Sequence, residues 1–212
     1  ARDFEAGVME VFAELISQGV VYRALKPVHW SPDNQTALAE AELEYYDRED
    51  TSVFVLFEIV KLLEGIEWDN CSLMICTTTP WPLHANMAVA VHERFDYGFY
   101  QLDDGRFAVI ACDLAKKVLR KDDVSPLATV KGAQLLGAIY RHPFIDRTCP
   151  TVAGDYVTLE DGTGLVHTAP GHGTDDYHTG LREKLDIYCP VLADGTFDDT
   201  SPDWLQGKLI WD

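Results

Sequence analysis

The sequence predicts an α+β domain in which a bent, barrel-like mixed sheet carries helices at its periphery. Three features predict it. Short β-branched and aromatic runs recur along the chain, bounded by Gly, Pro and Asp. Helical periodicity is confined to the first residues and to two later stretches. No repeat, low-complexity tract or Pro/Ser linker divides the 212 residues, which suffice for one substantial core.

In chain order, residues 3–18 place Phe4, Val8, Val11, Phe12, Leu15 and Ile16 at helical spacing, and Gly19 follows as a stop. Residues 20–25 are short and β-prone until Pro27 breaks them, and residues 42–45 alternate like an exposed strand. Residues 53–60 read as a buried strand, with further strands at 72–76 and 87–91. Asp103-Asp104-Gly105 between two apolar runs predicts a hairpin, followed by a short helix over 113–120. A second hairpin is expected from residues 156–159 and 165–168 around Asp161-Gly162. Thr174 is expected to cap a helix running to about Leu185, and the tail from Pro190 is turn-rich. A division into residues 1–48, a helix and connecting segment, and 49–212, the main body, is expected.

Composition narrows function. Hydrophobic residues make up 47% and charged residues 25%, ordinary globular usage. No stretch approaches the roughly 18 apolar residues of a membrane span, and the acidic, helical opening does not read as a signal peptide. An opening inside a helix without methionine reads as part of a longer polypeptide. The net charge of −18 argues against a broad phosphate-gripping surface, although a single unpaired nucleotide could still be held. The five scattered cysteines read as reduced thiols, and no His/Cys set has zinc spacing, so neither metal nor cofactor is expected.

Three segments could carry chemistry. Thr77-Thr78-Thr79-Pro80-Trp81 follows a strand end, presenting hydroxyls beside a tryptophan held by Pro80 and Pro82; the plain alternative is an ST-rich turn. The glycine-rich stretch 162–173 lets backbone pass close to a ligand and contains His167 and His172, although a histidine on an apolar strand is often a core residue. Asp175 and Asp176 stand in a helix first turn, where backbone N–H groups and the helix dipole favour an ionised carboxylate suited to an ammonium group. There is no G-x-S-x-G elbow, Cys–His pair or carboxylate pair. The residues alone stop at a pocket of hydroxyls, histidine and a carboxylate.

At these segments the chain resembles the editing (CP1) domain inserted in class I isoleucyl-tRNA synthetases. The resemblance rests on 77–81 with Asn86 downstream and on 162–177. It also rests on Lys26-Pro27-Val28-His29-Trp30-Ser31, on 36–42 and on Arg141-His142-Pro143-Phe144. Related valyl and leucyl domains typically carry Thr-Thr-Arg-Pro at the threonine segment, and Gly171-His172-Gly173 resembles the bacterial and organellar branch. The resemblance implies post-transfer editing: hydrolysis of valine from the tRNA for isoleucine, with isoleucine refused by size. It implies that Asp176 binds the α-ammonium, that His167 lines the side-chain pocket, and that Thr78, Thr79 and Asn86 bind the terminal adenosine and ester and position water. Thr77 and Trp81 join the substrate-binding set, and Thr78, Thr79 and Asp176 the catalytic set. Water would be the nucleophile, assisted by the substrate's ribose hydroxyl. It further implies a tRNA 3′ end as partner, the remainder of the synthetase, a monomer, and a cytoplasmic, matrix or stromal location. The alternative is a 3′-end binding module inactive by itself. No H-I-G-H or K-M-S-K-S signature is present, so no amino-acid activation is expected.

Overall fold

The computed structural model describes residues 2–47, 49–61 and 70–211. Helix α1 spans Arg2–Ser17 and buries none of its residues. It ends where Gly19 takes φ +71°, a left-handed conformation that glycine adopts without Cβ strain. Strands β1 (His29–Ser31) and β2 (Thr36–Leu38) form a separate antiparallel ribbon. The Trp30 indole N–H pins that ribbon to the body by donating to the Ala193 carbonyl (2.8 Å).

The body is a nine-stranded mixed sheet. Its strands are β3 (Val53–Lys61), β4 (Cys71–Thr77), β5 (Ala88–Val91), β6 (Asp96–Gln101) and β7 (Phe107–Ala111). They continue with β8 (Ala128–Lys131), β9 (Ile139–Arg141), β10 (Thr148–Ala153) and β11 (Leu165–Thr168). The spatial order is β11-β5-β10-β9-β3-β4-β7-β6-β8. The β4–β7 and β5–β10 pairs are parallel, and the others antiparallel. The sheet bends without closing its ladder, so barrel-like is the right description. Its curl brings β11 beside β4. Two bonds secure the curl: Ala111 N–H donates to the Thr163 carbonyl (2.9 Å), and the Tyr97 hydroxyl donates to the Gly164 carbonyl (2.7 Å). Inside lie Phe57, Leu73, Ile75, Val89, Val91, Tyr97, Phe99, Val109 and Tyr140, all fully buried. Helices α2 (Ala115–Leu119) and α3 (Thr174–Glu183) complete the α+β architecture.

Several local expectations are corrected. Residues 20–25 form no strand, because among the described residues nothing pairs with them beyond the turn that ends α1. Residues 42–45 are not a strand either; a 3-10 turn occupies Glu40–Glu42, with the Glu42 carboxylate accepting the Ala39 N–H (2.7 Å). Strand β3 is not buried throughout: only Phe57 is fully covered, and Phe54 and Val60 face outward. Residues 156–159 turn rather than pair, with Val157 N–H bonded to the Gly154 carbonyl (3.2 Å). The cap of α3 is Gly173, not Thr174, and the helix stops at Glu183, where Lys184 takes φ +57°.

Gly164 shows how tightly the curl is drawn. It adopts φ +74°, and a Cβ there would lie 2.4 Å from the Ala111 Cβ. Both the backbone strain and the overlap oppose any side chain. Gly164→Ala is therefore expected to destabilise the fold by about 3 kcal/mol, read as a lower urea midpoint at unchanged m-value.

Candidate functional site

The threonine segment begins as β4 leaves the sheet. Thr77 Oγ1 accepts the Thr79 N–H (3.1 Å) and contacts the Thr79 carbonyl (3.2 Å), so its hydroxyl is spent on the turn. That turn sets Thr78 and Thr79 on the surface. Both line a cavity of about 530 Å³ with Trp81, Phe144 and Trp204. Thr77 and Thr78 also border a cavity of about 840 Å³ with Tyr156 and residues 162–166. Thr78 thus lies on the wall shared by two hollows.

A 3-10 turn over Trp81–Ala85 follows. The Trp81 ring meets the His172 ring edge-on, with centroids 5.1 Å apart. Trp81 separates the first cavity from a third, of about 570 Å³, lined by Trp30, Trp211 and Cys189 among others. Asn86 closes the turn with its N–H on the Leu83 carbonyl (3.0 Å), and Arg147 Nη1 donates to the Asn86 carbonyl (3.0 Å).

Asn86 is fully buried, and its amide is consumed inside the protein. Nδ2 donates to the Ala88 carbonyl (2.8 Å) and faces His167 Nδ1 (3.3 Å), while Oδ1 accepts from the Tyr140 hydroxyl (2.5 Å). Asn86, expected from the sequence to contact the substrate, thus has its amide on Ala88, His167 and Tyr140. His167 sits on β11 opposite Val89. Burial, reinforced by His172 and His142, lowers its pKa to about 4, so the imidazole is neutral at physiological pH. His172 is likewise held at about 4 by burial, and its Nε2 is covered without a hydrogen-bond partner.

Asp176 occupies the first turn of α3. Its side chain bypasses the helix cap: Oδ2 accepts the Ala169 N–H (2.9 Å). The helix start was expected to keep this carboxylate fully ionised. Burial outweighs that help and raises its pKa to about 6, with Asp175 adding repulsion against the Ala169 hydrogen bond. Among the described residues, no ion pair joins Asp176 to a Lys or Arg. A partly dry carboxylate in that state gains most from a cation brought by a ligand.

The structure thus joins Asn86 directly to His167, and gathers Thr78, Thr79 and Trp81 around one hollow. His167 on β11 and Asp176 in the first turn of α3 flank the loop that joins those two elements, and neither lines that hollow. Among the described residues, no hydrogen bond links Asp176 to Thr78 or Thr79. Hydroxyls, a neutral imidazole and a carboxylate are groups that can position an ester and a water molecule. Among the described residues, no group of three His, Cys, Asp or Glu could hold a metal ion, and all five cysteines are free thiols. Sequence reasoning missed Tyr140, which lies just before the Arg141-His142-Pro143-Phe144 segment. Alternation along that short strand would have turned it inward, but nothing local announces its partner 54 residues away.

Residues 1–196 match the family of tRNA synthetases class I (I, L, M and V). Over 92% of its length the chain is 47% identical to the isoleucine–tRNA ligase of Parasynechococcus marenigrum, covering 22% of that protein. It is 44% identical over 97% of its length to that of Carboxydothermus hydrogenoformans, again covering 22%. The chain therefore spans about a fifth of the length of these curated relatives. The solved editing domain of P.knowlesi cytosolic leucyl-tRNA synthetase superposes with a TM-score of 0.54 at 10% identity, covering 63% of this chain and 62% of that one. At that identity the likeness is one of fold.

Proposed function

The chain belongs to the class I tRNA synthetases and has the fold of their editing domains, and on that premise we propose that it hydrolyses the ester of valyl-tRNA for isoleucine while sparing isoleucyl-tRNA. The observation that carries this reading is Asp176: a carboxylate raised to about 6 by burial, with no Lys or Arg ion pair among the described residues. An aminoacyl ester brings an α-ammonium, which would restore the lost stabilisation of the anion. On this reading neutral His167 serves as the wall against the aliphatic side chain, and Thr78 and Thr79 offer hydroxyls to the ester and its water. Water attacks the ester carbonyl, the carbonyl–ribose oxygen bond breaks, and valine leaves as its acid with the ribose hydroxyl restored. The substrate's neighbouring hydroxyl assists, since the histidines near the threonines are partly or wholly buried.

The need for such a site is physical. A pocket that selects isoleucine gains only about 1–3 kcal/mol over valine from one methylene, and this amino-acid pair is itself the standard illustration of that limit. A second, smaller cavity inverts the test, since close-packed walls resist an extra methylene. Only the single-stranded 3′ end need enter, which suits a net charge of −18. The rest of the synthetase grips the tRNA. The proposal includes a monomeric unit, a cytoplasmic, matrix or stromal setting, and the division into residues 1–48 and 49–212. That division is supported by α1, which buries none of its residues, and by the separate β1–β2 ribbon. No helix among the described residues is long and apolar enough to cross a membrane.

The test is deacylation of valyl- and isoleucyl-tRNA by the purified chain across pH. Valyl-tRNA is expected to be cleared well above buffer and isoleucyl-tRNA spared. Asp176 must be ionised to hold the ammonium, so kcat/KM should fall about tenfold per unit below pH about 6. His167 and His172, held at about 4, stay neutral across that limb. Deacylation no faster than buffer, or equal clearance of both esters, would overturn the reading.

A further inference from the structure

We propose that Tyr140, acting through Asn86, fixes the proton of His167 on Nε2 and thereby holds the imidazole wall of the site in one hydrogen-bonding state. The part of this inference that concerns selectivity rests on the editing reading; the part that concerns the proton does not.

The chain of reasoning starts from a carbonyl. Ala88 O can only accept, and it lies 2.8 Å from the Asn86 amide, so the group facing it must be the donor, Nδ2. In that orientation Oδ1 faces Tyr140, whose hydroxyl donates at 2.5 Å, so the carbonyl and the phenol hold the amide jointly and loss of the phenol loosens it. Tyr140 is fully buried, and burial holds its phenol well above the ordinary range, so the proton it donates is always present. Nδ2 also faces His167 Nδ1, 3.3 Å away, and has a second hydrogen to give. A ring nitrogen that faces a donor must accept. His167 is neutral, so its single proton resides on Nε2.

The Tyr140–Asn86 link is buried and the Asn86–His167 link half-buried, and each partner is on a different strand or turn: Tyr140 on β9, Asn86 at the end of the 3-10 turn, His167 on β11. The three elements are brought together by β10, which pairs with both β9 and β5, and by β5, which pairs with β11. Tyr140 is thus a positioning residue. It touches nothing that reacts, but it holds the amide that orients the ring. An imidazole locked at one tautomer and one rotamer is a wall of fixed outline. One that exchanges its proton between nitrogens and rotates offers a variable outline to an aliphatic side chain differing by a single methylene.

The experiment is nitrogen-15 NMR of the His167 imidazole in the intact 212-residue chain at neutral pH, alongside deacylation of both esters. The unmodified chain is expected to show one neutral tautomer, protonated at Nε2. Tyr140→Phe keeps the ring volume and removes only the donor; His167 is expected to populate both tautomers, and valine-over-isoleucine selectivity to fall about fivefold, the equivalent of one neutral hydrogen bond. A single Nε2–H tautomer with unchanged selectivity in Tyr140→Phe overturns the proposal. Where that variant fails to fold, Asn86→Asp decides: a carboxylate against Nδ1 demands its proton, so the tautomer should move to Nδ1–H, and retention of Nε2–H overturns the proposal. A single Nε2–H tautomer in an unmodified chain that clears neither ester supports the proton assignment and counts instead against the editing reading.

Discussion

Asp176→Asn is expected to lower kcat/KM for valyl-tRNA deacylation by at least about a hundredfold, the scale of losing one partner of a desolvated charge pair, while making the fold more stable. The two effects have one cause. In the folded protein the carboxylate titrates at about 6 against an ordinary 3.8, so the fold favours its protonated form. Between those values the unfolded chain has released the proton and the folded chain still holds it, so stability falls as pH rises through that window and levels off above it. A shift of roughly two units corresponds to ~3 kcal/mol, of which partial exposure leaves about 1–2 kcal/mol. Asparagine keeps an oxygen for the Ala169 N–H without the charge. Urea unfolding at pH 5 and 8, together with single-turnover deacylation, reads both consequences. A destabilised Asp176→Asn chain, or one that retains activity, would place the amine elsewhere. Asp175→Asn, at an exposed position, should leave deacylation within about twofold of the unmodified chain.

His167→Ala is expected to produce the opposite kind of fault: an enzyme that clears the correct product. Removing the imidazole opens space beside the aliphatic side chain, and isoleucyl-tRNA hydrolysis should rise about 10- to 200-fold, the range one methylene can control. Valyl-tRNA should still be cleared, because the amine acceptor and the threonines are untouched. The same substitution strips Asn86 Nδ2 of one half-buried acceptor, at a cost of about 1 kcal/mol. Parallel time courses with both esters decide the matter, and unchanged refusal of isoleucine removes His167 from the sieve.

What the sequence reveals depends on how local the cause is. The hairpin of β6 and β7 is legible because Leu102, Gly105 and Arg106 close it within a few residues. Strands β4 and β5 and helix α3 are legible from their own composition. Residues 20–25 and 156–159 mislead because β propensity becomes a strand only when a partner edge is available, and none is offered there. The parallel pairs β4–β7 and β5–β10 carry no local mark, since their registers are set by chain far away. The site shows the same divide. Thr77, Thr78, Thr79, Trp81, His167 and Asp176 stand out as unusual local clusters. Which of them face a ligand is a matter of packing: Thr77 spends its hydroxyl on its own turn, and Asn86 is covered by Tyr140, Ala88 and His167.

The bent sheet also bears on how its own edges are guarded. A sheet whose ladder does not close has two rims, and an open rim invites pairing with another molecule. Here one rim is β8, four residues long and ending at Lys131, whose ammonium is tied to Asp96 (2.9 Å). The other is β11, equally short and folded back beside β4. Neither presents a long, flat, uncharged template. The bend that brings β11 beside β4 also leaves little edge for a stray strand to extend.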